Sequence, residues 1–520
     1  MKHLPLIDLS VILIYMLAMV LVGVWFSRKN KSAEQFTKAS GMIPGWAVGI
    51  SLYATFLSSN TFLGVPGKAF GSDWNAFVFS LSMPLAGWVA VKYFVPFYRE
   101  ASGVSAYSHL EHRFGAWART YAMICFLLTQ LARMGSIFFG IALSLQALTG
   151  YDMASIMLVM GVCIVIYTVL GGIEAVIWTE VAQAVLLSVG ALLVLYLVFD
   201  NIEGGVGQVI KTGVEEGKFS LGSFSADFVG PSFWVILLYG FFINLNNFGM
   251  DQNYVQRYHT AVSAKEAAKS IWLCVYLYIP ISLVFFIIGS GLFVYYGQNP
   301  ELTEVLRLQS ATERLPAGAS ADEIAALAQS LTHADYGDKV MPHFMVTMIP
   351  VGLAGLVISA ILAAAMSTIS SGMNASATVF TEDIYKRYIR RNSSNKQTLR
   401  VLFISTAVFG ILGIIAGIGM IGVQSILDIW WQLSGIFAGG MLGLFLLGII
   451  SRKAGNRDAI AGVTAGVLVI LWMTFSYLLP EHYGFLKYPL HANMIIVVGT
   501  LVIFLVGSLW NAIRKSIATD

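Results

Sequence analysis

The chain has 520 residues, 57% of them drawn from AVILMFWYC and only 11% charged, against roughly 45–50% and about 25% in soluble domains. With a mean hydropathy of +0.75, this excludes a soluble globular protein, and also a disordered or fibrous chain, since those classes lack large apolar side chains. The formal net charge is only +3 and the Lys and Arg fall in short clusters between apolar runs, so no nucleic-acid partner is expected. Cys125, Cys163 and Cys274 lie inside apolar runs, where a thiol behaves as a small hydrophobe, and neither a disulfide nor a transition-metal site is expected.

Apolar stretches long enough to cross about 30 Å at about 1.5 Å per residue fall at 9–26, 43–67, 75–97, 120–148, 155–171, 179–199 and 233–252. Six more lie at 270–296, 344–376, 401–420, 426–450, 459–479 and 492–510. The composition thus predicts an all-α polytopic membrane protein with 13 transmembrane helices. An odd number puts the termini on opposite sides, and the positive-inside rule sets the direction. With the N-terminus outside, 21 of the 31 Lys and Arg fall in inside loops, Lys29, Arg257, Arg452 and Lys515 among them. Eight, including Lys2 and Lys68, lie outside, and Lys92 and Arg133 fall within spans. The expected topology is therefore N-terminus outside, C-terminus inside. The longest outside loop, 297–343, should carry a short helix from Ala321 after Ser320, with Asp322 and Glu323 in its first turn.

Two spans are interrupted by Gly, Pro or polar residues. The second is polar through Ser58-Ser59-Asn60-Thr61 and ends in Gly64-Val65-Pro66-Gly67; the seventh contains Asn244-Leu245-Asn246-Asn247 and Asp251. An unwound helix at membrane depth leaves backbone groups to be satisfied by ions, substrate or buried side chains. Corresponding breaks in two halves mark the binding site of an inverted-repeat transporter. Because these spans lie five apart, spans 2–6 and 7–11 form two inverted halves. The predicted organisation is an N-terminal span and inside loop (1–42), a first repeat (43–199), an outside loop (200–232), a second repeat that includes the loop 297–343 (233–450), and two C-terminal spans with a short inside tail (451–520).

At these residues the chain resembles the sodium/solute symporter family, and within it the branch that carries sialic acid. The resemblance rests on Ala54-Thr55-Phe56-Leu57-Ser58-Ser59, on Ser105 to Phe114, on Tyr167 to Glu180, on Asp251-Gln252-Asn253-Tyr254-Val255-Gln256-Arg257 and on Gly355 to Asn374. It implies the leucine-transporter-like five-plus-five inverted-repeat fold. It further implies a sodium site made by the carbonyls of Ala54, Leu57 and Ala364 with the hydroxyls of Ser367 and Thr368. Sodium is a hard cation that takes oxygen ligands. Independently, Ser367, Ser370 and Ser371 stand at i, i+3 and i+4, on one helix face. Some family members carry a second sodium site, which maps here onto Glu180, Ser367, Ser370 and Ser371, with Glu180 replacing the familiar Asp.

Arg133 lies mid-span, too deep to reach the headgroups easily, and an unpaired guanidinium there would cost several kcal/mol. It requires an anion: either an internal acid or a substrate carboxylate. In the sialic-acid branch it pairs with substrate, and Ser58, Thr61, Ser80 and Asn244 would complete the pocket, with Phe56 and Ser80 departing from the residues expected there. His109 and His112, three apart, are read as part of an amphipathic interface helix, and Tyr53, Phe62, Phe77, Trp88 and Trp430 as packing.

The resulting expectation is a sodium-coupled secondary active symporter that imports a small acidic solute, sialic acid (N-acetylneuraminate) first, by alternating access. Another sugar, sugar acid or monocarboxylate is the alternative, and an uncoupled carrier or channel a further one. A membrane enzyme would show clustered acids and histidines at one face, which are missing from the sequence, so no enzymatic activity is expected. The partners are sodium ions, the acidic solute and membrane lipids. The compact loops point to a bacterial inner membrane.

Overall fold

In the computed structural model residues 5–519 are described apart from 29, 101–102, 317, 422–425, 452 and 477–478. Lys2, Lys29 and Arg452, used in the charge count, and the side chains of Trp430 and Lys515 lie outside the described set. In chain order the helices are α1 (Leu6–Ser27), α2 (Ala33–Lys38), α3 (Gly45–Phe56), α4 (Ser59–Gly71), α5 (a bent run, Trp74–Glu100), α6 (Ser108–Phe114) and α7 (Ala116–Thr149). They continue with α8 (Met153–Asp200), α9 (Gly205–Glu215), α10 (Phe233–Met250), α11 (Gln252–Thr260), α12 (Ala264–Gln298), α13 (Pro300–Arg314), α14 (Ala321–Ser330) and α15 (His333–Met348). The last five are α16 (Leu353–Ile389), α17 (Asn395–Gly419), α18 (Ile426–Ile450), α19 (Asn456–Phe475) and α20 (Met494–Thr519).

Several starts follow from capping. Ser32, Asp152, Ser232, Asp251, Ser263 and Ser320 each accept a hydrogen bond from a backbone N–H in the first turn of their helix, satisfying a group the helix itself cannot. Ser320 and Glu323 form the reciprocal capping box that opens α14, where the loop helix was expected.

Ten helices among the described residues are long and apolar enough to cross a membrane, eleven with α3 and α4 counted as one bent span. Thirteen separate spans are not reproduced, for two reasons. Predicted spans 5 and 6 form the single 48-residue run α8, roughly 72 Å at helical rise and more than twice a bilayer core. That run changes direction at Gly172, whose φ of 61° and ψ of −164° leave the helical region without a loop. The described apolar part of α18 is short, Gly435–Ile450. The predicted span 344–376 also divides: Phe344 to Met348 belong to α15, and α16 begins at Leu353 after Pro350 and Gly352.

Helix α16 is the axle of the molecule, with almost every side chain from Val357 to Val379 buried. It lies against α8, where Gly190 leaves room only for the Ala360 methyl. Helix α4 is wedged between α12 and α15. A Cβ on Gly67 would come within 2.8 Å of the Gly337 carbonyl, and one on Gly289 within 2.4 Å of the Pro66 carbonyl. Such small-residue contacts let membrane helices approach to backbone distance, where dispersion rather than the hydrophobic effect holds them. On the face that carries α2, α6 and α11, Phe36 of α2 is fully buried against Gly172 and sits edge-on to Phe403. Gln256 of α11 donates to the Thr37 carbonyl and to Asn374.

Candidate functional site: an oxygen cluster and a cavity at two helix breaks

Helix α3 ends at Phe56 because Leu57 and Ser58 are extended, with ψ of 114° and 173°, and Ser58 with Thr61 forms the capping box that opens α4. The two helices meet at a 55° bend. The last carbonyls of α3 therefore have no partner within the helix, and side chains from other helices take them. The Ser367 hydroxyl donates to the Ala54 carbonyl (3.1 Å), the Thr368 hydroxyl to that of Leu57 (3.4 Å), and Arg133 Nη2 to that of Thr55 (2.7 Å). Ser367 and Thr368 also reach the Ala364 carbonyl, at 3.0 and 3.2 Å. The three carbonyls and two hydroxyls anticipated for a sodium ion are thus gathered at one point, where α3 presents the negative end of its dipole. A hydroxyl that turns its proton away offers a lone pair, so the five oxygens suit a hard monovalent cation.

One turn further along α16 the chemistry differs. Glu180 lies mid-helix in α8, fully buried, and its two oxygens accept from Arg257 Nη2 at 2.8 and 2.7 Å. Ser51 and Ser371 also donate to this carboxylate. Arg257 donates from Nε to Ser51 (2.7 Å), from Nη2 to Ser371 (2.6 Å) and from Nη1 to the Asn253 carbonyl. Ser370 turns aside and donates to the Ser367 carbonyl (3.2 Å). One reading is corrected here. Arg257, counted as an inside-loop charge, is 1% exposed, because α11 folds back into the protein after the break at Asp251. Glu180, anticipated for a second sodium site, holds a buried ion pair with Arg257.

Beside the break lies a cavity of about 110 Å³. Of the residues anticipated for substrate, Ser58, Thr61, Ser80 and Arg133 line it. Asn244 does not: it is fully buried and donates to Ser82 at 3.2 Å. Its neighbours Asn246 and Asn247 line the cavity instead, with Asn60, Asp251, Tyr254, Tyr278 and Ser282. Asn60 and Asn246 each bring a buried amide oxygen that has no hydrogen-bond partner, as does Asn244 outside the lining; the two in the cavity can accept donors from a solute. Ser80 is held by Ser282 at 2.7 Å. Asp251 caps α11 by accepting from Asn253 N (2.8 Å) and Nδ2 (2.7 Å), and it accepts from Gln130 at 3.3 Å. The polar run Asn244 to Asn247 signals this wall in the sequence, but which amide faces inward depends on helix phase, which the sequence leaves open. Lys68 and Ala76 also border a wider cavity, about 680 Å³, which is walled by the loop from Gly222 to Ser232 and by His491 to Asn493.

Among the described residues no group of three His, Cys, Asp or Glu converges. His109, on α6, sits edge-on to Phe97, and burial lowers its pKa to about 4.

Known proteins resemble the chain over most of its length. The chain is 35% identical over 95% of its length to a sodium/sialic acid symporter, NanT, of Aliivibrio fischeri, covering 91% of that protein. It is 34% identical over 95% of its length to a sodium/sialic acid symporter, SiaT, of Proteus mirabilis, covering 94% of it. A Vibrio parahaemolyticus sodium/glucose cotransporter matches at 26% over 95% of this chain and 90% of its own. Among solved structures, a Na⁺-coupled sialic acid symporter in a substrate-bound, outward-open state superposes with a TM-score of 0.84 at 32% identity, covering 98% of both chains. The nucleobase-cation symporter Mhp1 shares the fold alone, with a TM-score of 0.55 at 16% identity over 92% of this chain and 95% of its own. With residues 36–466 matching the family profile, this chain belongs to the sodium:solute symporter family.

Proposed function

We propose that the protein is a sodium-coupled symporter that imports sialic acid, by alternating access about the two helix breaks. The observation that carries this reading is Arg133, whose guanidinium lines the cavity and at the same time holds the Thr55 carbonyl. That carbonyl lies in the same broken turn as Ala54 and Leu57, so the solute's anchor and the cation's ligands share one segment of backbone. A carboxylate on Arg133 and a cation on the Ala54, Leu57, Ala364, Ser367 and Thr368 oxygens would stabilise the same conformation of that segment, which is the linkage that symport requires. The unpartnered amide oxygens of Asn60 and Asn246 favour a solute rich in hydroxyl or amide donors. N-acetylneuraminate has both, whereas a simple monocarboxylate has neither. Ser58, Thr61 and Ser80 would complete the contacts. Residues 43–199 and 233–450 are the two inverted halves, the chain crosses a bacterial inner membrane thirteen times with its N-terminus outside, and the wider cavity is the outer vestibule. Lipids surround the spans, and no nucleic acid takes part.

Uptake of radiolabelled N-acetylneuraminate into proteoliposomes tests this, with an inward sodium gradient or with potassium in its place. Uptake that needs sodium and is lost in Arg133→Ala is expected. Uptake equal in the two salts would rule out coupling, and no uptake by a folded protein that sodium still stabilises would rule out this solute.

A further inference from the structure

A broken membrane helix frees carbonyls at the end of its first half, and at membrane depth each needs a donor. At the first break the donors are side chains of α7 and α16: Arg133, Ser367 and Thr368. At the second break three phenols supply them. Tyr258 donates to the Phe248 carbonyl (2.8 Å), Tyr98 to that of Gly249 (2.6 Å) and Tyr107 to that of Met250 (2.9 Å). All three rings are buried. The Asp251 N–H bonds the Asn246 carbonyl at 3.0 Å, five residues back instead of four, so the last turn of α10 is wider by one residue than a regular helical turn.

That wide turn carries Asn246 and Asn247, which line the solute cavity. In it the regular helical ladder no longer fixes how far each side chain is rotated, and the donors that hold its carbonyls do so instead. Tyr258 is local, on α11 directly after the break, whereas Tyr98 comes from the end of α5 and Tyr107 from the segment before α6. This segment opens the run Ser105 to Phe114, and it is fastened to the break itself. Gln252, the first residue of α11, donates to the Val104 carbonyl (2.9 Å) and accepts from the Ala106 N–H (2.8 Å). On its other side Ser105 donates to Asp383 of α16 (2.7 Å), which Arg119 Nε holds at 2.8 Å. Tyr107 therefore reaches α10 from a segment anchored at both sides.

We infer that Tyr98 and Tyr107 are positioning residues for transport: by holding the Gly249 and Met250 carbonyls they set the last turn of α10 in the phase that presents Asn246 and Asn247 to the solute. Neither lines the cavity and neither belongs to the oxygen cluster at the first break, so both act through α10. A phenol donates one proton, and a carbonyl engaged by it faces that proton and not a cation. The second break thus serves the solute and the first serves the cation. This inference rests on the proposed function for the identity of the solute, and the experiment separates the two.

The purified intact chain is compared with Tyr98→Phe, Tyr107→Phe and the double variant, which keep the rings and remove the hydroxyls. N-acetylneuraminate affinity is measured by isothermal titration in saturating sodium, and sodium affinity by ²²Na⁺ binding without solute. Each single variant should weaken solute binding about three- to tenfold, near the worth of one hydrogen bond, and leave sodium affinity unchanged. Tyr296→Phe removes a buried phenol from the Val340 carbonyl (3.2 Å), away from both breaks, and should leave both affinities in place. Unchanged solute affinity in the double variant, solute and sodium affinities that fall together, or an equal loss in Tyr296→Phe would overturn the inference. A second readout needs no solute. With Cys125, Cys163 and Cys274 replaced by Ala, Asn246→Cys should react with a small water-soluble thiol reagent and Asn244→Cys should not, and adding Tyr107→Phe should reduce that contrast several-fold. The same contrast with and without the Tyr107 hydroxyl would overturn the inference. If N-acetylneuraminate does not bind the parent protein, the proposed solute fails and the labelling still decides the matter.

Discussion

Arg133 is the residue on which most of the function turns, because it touches both the solute cavity and the broken backbone. Replacing it by Ala removes a charge-assisted contact of about 2–5 kcal/mol, so uptake should fall at least about 30-fold in a transport assay. Arg133→Lys keeps the charge but loses the planar fork and should raise the KM for solute while leaving some transport. The two asparagines make a sharper comparison. Asn246→Ala removes a cavity-lining group and should weaken solute binding by about tenfold, near the net worth of one hydrogen bond. Asn244→Ala should leave solute affinity in place and lower Tm, because its amide serves Ser82 rather than the cavity. Isothermal titration and thermal unfolding of both variants distinguish these outcomes. Sequence reasoning recognised this polar run and chose Asn244, whereas Asn246 and Asn247 are the members that line the cavity. Residues 244 and 246 point about 200° apart on a helix, and nothing local says which direction is inward.

At the scale of elements, the breaks are what the sequence makes most legible. Ser58 with Thr61, and Asp251 with Asn253, are local capping chemistry and can be recognised without knowing what surrounds them. The continuity of α8 was not legible, since Gly171-Gly172 between two apolar runs reads equally well as a loop or as a kink. In the structure Gly172 takes a conformation essentially confined to glycine and lies 3.0 Å, measured from where a Cβ would be, from the ring of Phe36. Gly172→Ala should therefore cost about 1–3 kcal/mol of stability and appear as a drop of several degrees in Tm. An unchanged Tm would show that the turn relaxes without the glycine. The buried pair of Arg257 and Glu180 leads to a similar expectation. Glu180→Gln alone strands the guanidinium and should destabilise by about 3–5 kcal/mol, while the double replacement by Gln should recover part of that loss because neither charge remains. Thermal unfolding of the single and double variants measures the recovery.

For the whole molecule, cation and solute sites that share the turn from Ala54 to Ser58 must be linked, and linkage is reciprocal. Sodium should raise solute affinity by the same factor by which solute raises sodium affinity. Binding titrations run in both orders check this equality; sodium that leaves solute affinity unchanged would break the connection between Thr55 and Arg133 on which coupling is argued. The sequence by itself determined the solvent of this protein, its two interrupted helices and the hydroxyl face of α16, because hydropathy, capping and helical periodicity are local properties read over a few turns. Tertiary structure decided which asparagine faces the cavity, that Arg257 leaves the membrane surface to meet Glu180, 77 residues away along the chain, and that Asp251 joins the cavity wall. A buried charge is tolerated only by partners brought from distant helices, and no local pattern carries that information.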